Sequence, residues 1–218
     1  MSQLTQLDWF NFKSTAPTEY KRPEQYTIAG KMLSDKQLKE KYINQLYRTC
    51  MMCSLCNLGN KSVVQDGFLR DPHLLSNQTI SNIMIVMDQP EWSDLLHRDN
   101  AVDTELTSSL KQYNIYDRVY VTFLLKCAGQ SVNQENYSTC QSYIDLEIKS
   151  LKPVLIITVG PKVFDYFKTQ NDDYASCLKT IIKSKYNCKM LPICDVTNDD
   201  FDNSISMVSK LIRAINER

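Results

Sequence analysis

Histidine is scarce in this chain: His73 and His97 are the only two among 218 residues. So small a supply leaves little room for histidine-rich metal sites or for catalysis that leans on imidazole. Net charge is missing as well. Lysine and arginine total 25, as do aspartate and glutamate, so no global basic field advertises nucleic acid as a partner. No apolar run approaches the roughly 20 residues of a membrane span. The opening Met1-Ser2-Gln3-Leu4-Thr5-Gln6 lacks the basic and apolar regions of a secretory signal. Internal repeats and low-complexity tracts are absent too. What remains is a length that suits one α/β domain, or one domain with an arm, and that buries a substantial core.

Cysteine, by contrast, is plentiful. Eight cysteines in a chain with no export signal point to a reducing, cytoplasmic compartment and away from a disulfide framework. The pattern Cys50-Met51-Met52-Cys53-Ser54-Leu55-Cys56 follows a predicted helix, and Cys127 and Cys140 straddle a strand exit and the next helix. Four thiolates converging on one inorganic centre suit an iron–sulfur cluster or structural zinc. A C-x-x-C pair alone is common to zinc sites and redox motifs. The plain alternative is a set of buried thiols, because free cysteine packs as a small hydrophobe.

Residues 1–33 read differently from the rest. The aromatic cluster Asp8-Trp9-Phe10-Asn11-Phe12 is followed by a polar stretch with Pro17 and Pro23. No helical or alternating period holds there, which predicts a flexible or surface-draped arm. From residue 34 the pattern changes. Ser34 and Gln37 make a capping box, and Leu38, Tyr42 and Leu46 mark a helix face that delivers Cys50. The wholly apolar runs Ile83–Met87, Val119–Leu125 and Val154–Val159 predict strands of a parallel sheet covered on both faces. Met190–Cys194 is a weaker strand, which Pro192 demotes towards an edge. Leu106 and Leu110, then Cys140, Ile144, Ile148 and Leu151, then Ile205, Val208, Ile212 and Ile215, keep helical spacing, and Pro153 stops the second helix. Residues 34–218 are therefore expected to fold as a three-layer α/β/α domain around a mainly parallel, four-stranded sheet.

In this order the residues resemble family 4 uracil-DNA glycosylases. The likeness is carried by Cys50-x-x-Cys53, Val63-Val64, Ile83–Met87 with Pro90, and Val119-Tyr120-Val121-Thr122. It continues through Lys126-Cys127, Cys140, Lys152-Pro153 and Thr158-Val159-Gly160. The resemblance spans about residues 35–218 and implies the glycosylase fold with a 4Fe–4S cluster on Cys50, Cys53, Cys127 and Cys140. A register using Cys56 in place of Cys50 stays open, and so does zinc in place of iron. The family flips uracil out of DNA and cleaves its glycosidic bond. It needs a glycine-rich first motif, a stacking aromatic, an Asn that reads uracil and a His that receives the departing anion.

This chain departs at each of those positions. The glycine-rich motif falls on Met87-Asp88-Gln89-Pro90-Glu91, where both glycines are gone and Asp88 keeps a carboxylate. No aromatic lies between Trp92 and Tyr113. The reading Asn is Phe123, and the His-Pro pair falls on Asp195-Val196. Losing a donor aimed at developing charge costs about 10²–10³ in rate, and losing a substrate-reading hydrogen bond costs about 10⁴ in discrimination. Asp88, Pro90, Phe123 and Asp195 thus outline a degenerate pocket. The expectation is a non-catalytic accessory of DNA replication or repair in bacterial or phage-infected cytoplasm. The alternative is a divergent glycosylase acting through Asp88, with His97 standing in for the lost His.

Three other features were weighed. Lys179, Lys183, Lys185 and Lys189 read as a solvated helix face rather than a phosphate site. The acidic run Asp199-Asp200-Phe201-Asp202 argues against DNA in the family's pose. In the arm, Gln6-Leu7-Asp8-Trp9-Phe10 resembles the short peptides by which bacterial and phage replication proteins dock on a sliding clamp. Leu7, Trp9 and Phe10 would fill an apolar groove while Gln6 bonds at its rim.

Overall fold

A computed structural model of the chain describes residues 27–28, 31–32, 81–89, 105–126 and 132–216. Two short strands, β1 (Thr27–Ile28) and β2 (Lys31–Met32), pair antiparallel with Thr27 opposite Met32. They fall within the stretch read as an arm; the rest of residues 1–33, with the docking-like peptide, lies outside the described residues. So does the expected helix that delivers Cys50.

The chain then builds a sheet. In sequence come β3 (Ile83–Met87), α1 (Glu105–Gln112), β4 (Tyr120–Phe123), α2 (Gln134–Leu151) and β5 (Leu155–Val159). They are followed by α3 (Pro161–Phe167), α4 (Tyr174–Cys177), β6 (Ile182–Lys183), β7 (Lys189–Ile193) and α5 (Phe201–Asn216). Strand order is β4-β3-β5-β7-β6, parallel except for β6, which runs antiparallel to β7. Among the described residues the sheet therefore has five strands, where four were expected. The fifth is only two residues long, too short to leave an apolar run in the sequence.

Side chains alternate between two cores, as a pleated sheet dictates. Ile83, Ile85, Val121, Leu155, Ile157 and Leu191 meet α1 and α5 on one face, where Leu110, Ile205, Val208 and Ile212 are buried. Met84, Val86, Tyr120, Ile156 and Met190 meet α2 and α3 on the other, against Cys140, Ile144, Phe164 and Phe167. Both faces are covered, which explains why these strands read as unbroken apolar runs.

The second helix starts at a capping box. Asn133 accepts from the Asn136 N–H and donates its own N–H to the Asn136 side chain, both at 3.0 Å. It ends with Lys152 in the left-handed region (φ 49°) just before Pro153. Pro192 does not make β7 an edge strand, contrary to expectation. It lies beyond the reach of β6, and its carbonyl, turned away from β5, accepts the Lys179 N–H at 2.8 Å. Its missing N–H points the same way, so no ladder bond is lost.

One polar cluster interrupts the core. Glu147 of α2 is fully buried and Lys126, just past β4, is nearly so, with Nζ and Oε2 3.1 Å apart. The ammonium also donates to Thr122 Oγ1 (2.8 Å) and the Phe123 carbonyl (2.6 Å), giving three acceptors for its three protons. Glu147 in turn accepts from the hydroxyls of Tyr120 (2.8 Å) and Thr122 (2.9 Å). Removing one member strands a charge in the core, so Glu147→Ala should lower stability by about 3–5 kcal/mol. Val154→Ala, at a residue 45% exposed, should stay within about 0.5 kcal/mol. Urea unfolding followed by circular dichroism checks both values.

Candidate functional site

In a doubly wound sheet, ligands bind beyond the C-terminal ends of the strands where the connections diverge. Here that point lies between β3 and β5. From β3 the chain leaves through α1 towards β4, and from β5 it leaves through α3, on the opposite face, towards β7. Asp88 follows β3 and Gly160-Pro161-Lys162 follows β5, so the two turns face each other across this crevice.

The structure fills the crevice with the chain's own groups. Tyr137, in the first turn of α2, donates its hydroxyl to Asp88 Oδ1 at 2.7 Å. Lys162 donates to Asp88 Oδ2 at 3.0 Å and to the Tyr137 hydroxyl, and its ammonium sits 4.0 Å from the centre of the Tyr137 ring. Burial first, then the hydrogen bond and charge of Asp88, hold the Tyr137 phenol well above the usual tyrosine range. Both carboxylate oxygens of Asp88 are thereby engaged. Beside them, the Gln89 Oε1 and Thr158 Oγ1 atoms are buried with no hydrogen-bond partner among the described residues.

Of the four degenerate-pocket positions, three come to this one edge. Phe123 is opposite Met87 in the β3–β4 register and is 7% exposed, so its ring forms part of the core. Asp195 follows β7 and shapes a turn, accepting from the Thr197 N–H (3.3 Å) and hydroxyl (3.2 Å). Its other oxygen lies 2.8 Å from where a β-carbon on Gly160 would stand, and Gly160 has φ +84°. Only glycine suits that turn. Pro90 lies outside the described residues, as do Glu91 and His97.

The flanking charges are already paired. Lys179 bonds Asp200, whose carboxyl is held below the usual range chiefly by that ammonium. Asp202 accepts the Tyr113 hydroxyl at 2.8 Å, and both aspartates sit at the start of α5, where negative charge is favoured. The lysine run is not a helix face. Lys183 lies on β6 and Lys189 on β7, and Lys185, between them, stacks 3.6 Å over the Tyr166 ring.

Of the four expected cluster ligands, Cys140 is within the described residues, while Cys50, Cys53 and Cys127 are not. Cys140 is 3% exposed on the sheet-facing side of α2, one turn beyond Tyr137. Lys126, the residue before Cys127, is bonded to Glu147, which is two turns beyond Cys140 on the same side. Among the described residues no group of three or more histidine, cysteine, aspartate or glutamate side chains gathers to hold a metal ion. Sequence reasoning missed Tyr137, Lys162 and Glu147. For Tyr137 and Glu147 the one signal was a polar residue at each end of the α2 stripe, spaced with Cys140 and Ile144; Lys162, on α3, left none. Neither protein-family models nor curated protein sequences yield a match to this chain.

Anion beside phenol opposes phenolate formation, so Asp88→Asn should lower the pH at which Tyr137 ionises, read as absorbance at 295 nm. Tyr174, pushed up to about 12 by burial, behaves like Tyr137 in stabilising the neutral form. Their folded values lie above the unfolded one. The stability they add is full below about pH 10 and is lost as pH rises beyond it, which alkaline thermal melts should show.

Proposed function

We propose that the chain is a non-catalytic, uracil-DNA glycosylase-like iron–sulfur protein, acting as an accessory or interaction module in DNA replication or repair. The observation that carries this reading is the state of the sheet's C-terminal edge. Phe123 stands buried at the position that would read uracil. Asp195 stands at the position that would receive the anion and is folded into a turn against Gly160. Asp88, the remaining carboxylate, is spanned by Tyr137 and Lys162. A base entering the crevice would meet neither a donor for its edge nor a cation reserved for its departure.

The cluster belongs to the same proposal. Cys50, Cys53, Cys127 and Cys140 would hold a 4Fe–4S centre in a bacterial or phage-infected cytoplasm. The partner would be a sliding clamp or another replication protein, engaged by Gln6, Leu7, Trp9 and Phe10. DNA takes a lesser place, because the lysines nearest the edge are already committed to aspartates.

Anaerobically purified protein should be brown and carry about four irons per chain. Cys140→Ser should lose them and Cys177→Ser should not; stoichiometric zinc without visible absorption would sink the cluster. The same protein should release no uracil from single- or double-stranded DNA. Release that Asp88→Asn abolishes would turn the reading to an active, divergent glycosylase. A peptide of residues 1–14 should bind the clamp with a Kd of about micromolar order, and Leu7→Ala with Phe10→Ala should remove most of that binding. If deleting residues 1–14 unfolds the protein, the arm belongs to its own core.

A further inference from the structure

At the end of the sheet opposite Asp88, the last turn of α2 and the turn between β6 and β7 border a cavity of about 410 Å³. Ile148, Lys149, Lys152 and Pro153 line it from α2 and the run into β5, and Tyr186 and Cys188 from the turn. That volume falls within the range of about 300–1,000 Å³ that small-molecule sites occupy. The walls are of two kinds. Ile148 and Pro153 are buried and apolar. The Tyr186 ring is held in place, its hydroxyl donating to Asp145 and its centre 5.7 Å from that of Phe167. Cys188 is fixed as well, with Sγ 3.1 Å from the Ser184 hydroxyl. Lys149 and Lys152 make the charged wall. Both are exposed, and neither forms an ion pair among the described residues.

Lysines at a helix C-terminus are favoured by the dipole alone, but two observations go beyond that. Lys152 holds φ 49° and ψ 59°, the left-handed region where glycine is the usual residue at a helix end. A lysine there carries a backbone cost that the dipole does not require, since Lys149 already lies in the last turn. The second observation concerns Asp145. It accepts the hydroxyls of Tyr186 and Tyr166 and attracts the nearby Lys185 ammonium, so its charge is met without Lys149 or Lys152. We propose that this cavity binds a small phosphate monoester carrying a flat ring, as a nucleoside monophosphate does. Lys149 and Lys152 meet the phosphate, and Tyr186, Ile148 and Pro153 take the ring. A phosphate monoester carries close to two negative charges at neutral pH, which two ammoniums match, and lysine serves phosphate as a point charge. Chemistry in such sheets belongs to the opposite, C-terminal edge, so this site binds its ligand without transforming it. The cavity stands whether or not the protein holds a cluster or acts on DNA.

Equilibrium dialysis of the full chain against adenosine monophosphate tests this. A Kd of about 10–100 micromolar is expected, the level that about two dozen ligand atoms reach at ordinary efficiency. Adenosine and inorganic phosphate should each bind at least about tenfold more weakly, because each lacks one half of the contacts. Lys152→Gly removes the ammonium and relieves the left-handed backbone. It should melt at or above the parent temperature and bind about tenfold less tightly; a purely structural lysine would give the first result without the second. Lys149→Gln should lose a similar factor, and Lys149→Arg should keep most of the affinity. Lys210→Gln removes the same charge from α5, on the other face of the sheet, and should bind as the parent does. Adenosine binding as tightly as its monophosphate would overturn the proposal. So would parent-like affinity in both Lys152→Gly and Lys149→Gln, equal weakening in Lys210→Gln, or no binding of the monophosphate at millimolar concentration. A 5′-phosphorylated oligonucleotide that binds far more tightly than the mononucleotide would give the cavity to nucleic acid and overturn the small-molecule assignment.

Discussion

Everything on the α2 side of the sheet depends on a lysine ammonium held in the core. Taking Lys126 and Glu147 out of water costs several kcal/mol per ion before any bond is made. The cost is offset only because each proton of the ammonium finds an acceptor, and because two hydroxyls complete the carboxylate. Such an arrangement tolerates one register. If α2 slid by a single turn, Glu147 and Lys126 would part, and each would be left in the core without its counter-charge. Apolar burial drives the helix onto the sheet, and the ion pair selects where along the sheet it stops.

At the crevice the magnitudes distribute differently. The Asp88–Lys162 pair is half exposed, with side-chain exposures of 35% and 55%, and pairs of that kind contribute between about 0 and 1 kcal/mol. Opening it would be easy, so the ion pair by itself is a weak barrier to a ligand. Phe123 and Asp195 are harder to circumvent. No movement of Phe123 creates a hydrogen-bonding edge, and no movement of Asp195 turns a carboxylate into a cation. The non-catalytic reading therefore leans on these two residue identities more than on the closure that surrounds them.

The main strands were legible because both faces of the sheet are covered, which leaves each of them as an unbroken apolar run. Ile83–Met87 matches its predicted bounds, and Leu155–Val159 differs by one residue. The run Val119–Leu125 was read too long. Past Phe123 the backbone bends to let Lys126 fold back, and hydrophobicity carries no trace of that bend. The lysines from 179 to 189 were misread because the intervals of four from Lys179 to Lys183 and from Lys185 to Lys189 echo a helical face, while the turn between β6 and β7 depends on Asn187 at φ 63°. Glu147 was invisible for another reason. A charge on an amphipathic helix reads as solvent-facing unless its partner is known, and the partner stands 21 residues earlier in the chain.

Charge at the C-terminal edge bears on what could approach it. Binding to nucleic acid gains most of its free energy when free lysines or arginines displace counterions from phosphates. Lys162 and Lys179, at the strand ends and the loop beside α5, already have carboxylate partners in Asp88 and Asp200. A phosphate would have to compete with a built-in anion at each, and Asp195 and Asp199 add negative charge close by. The gain from counterion release is correspondingly small there. A chain with no net charge and an edge so neutralised offers little to a DNA backbone met through this side of the sheet.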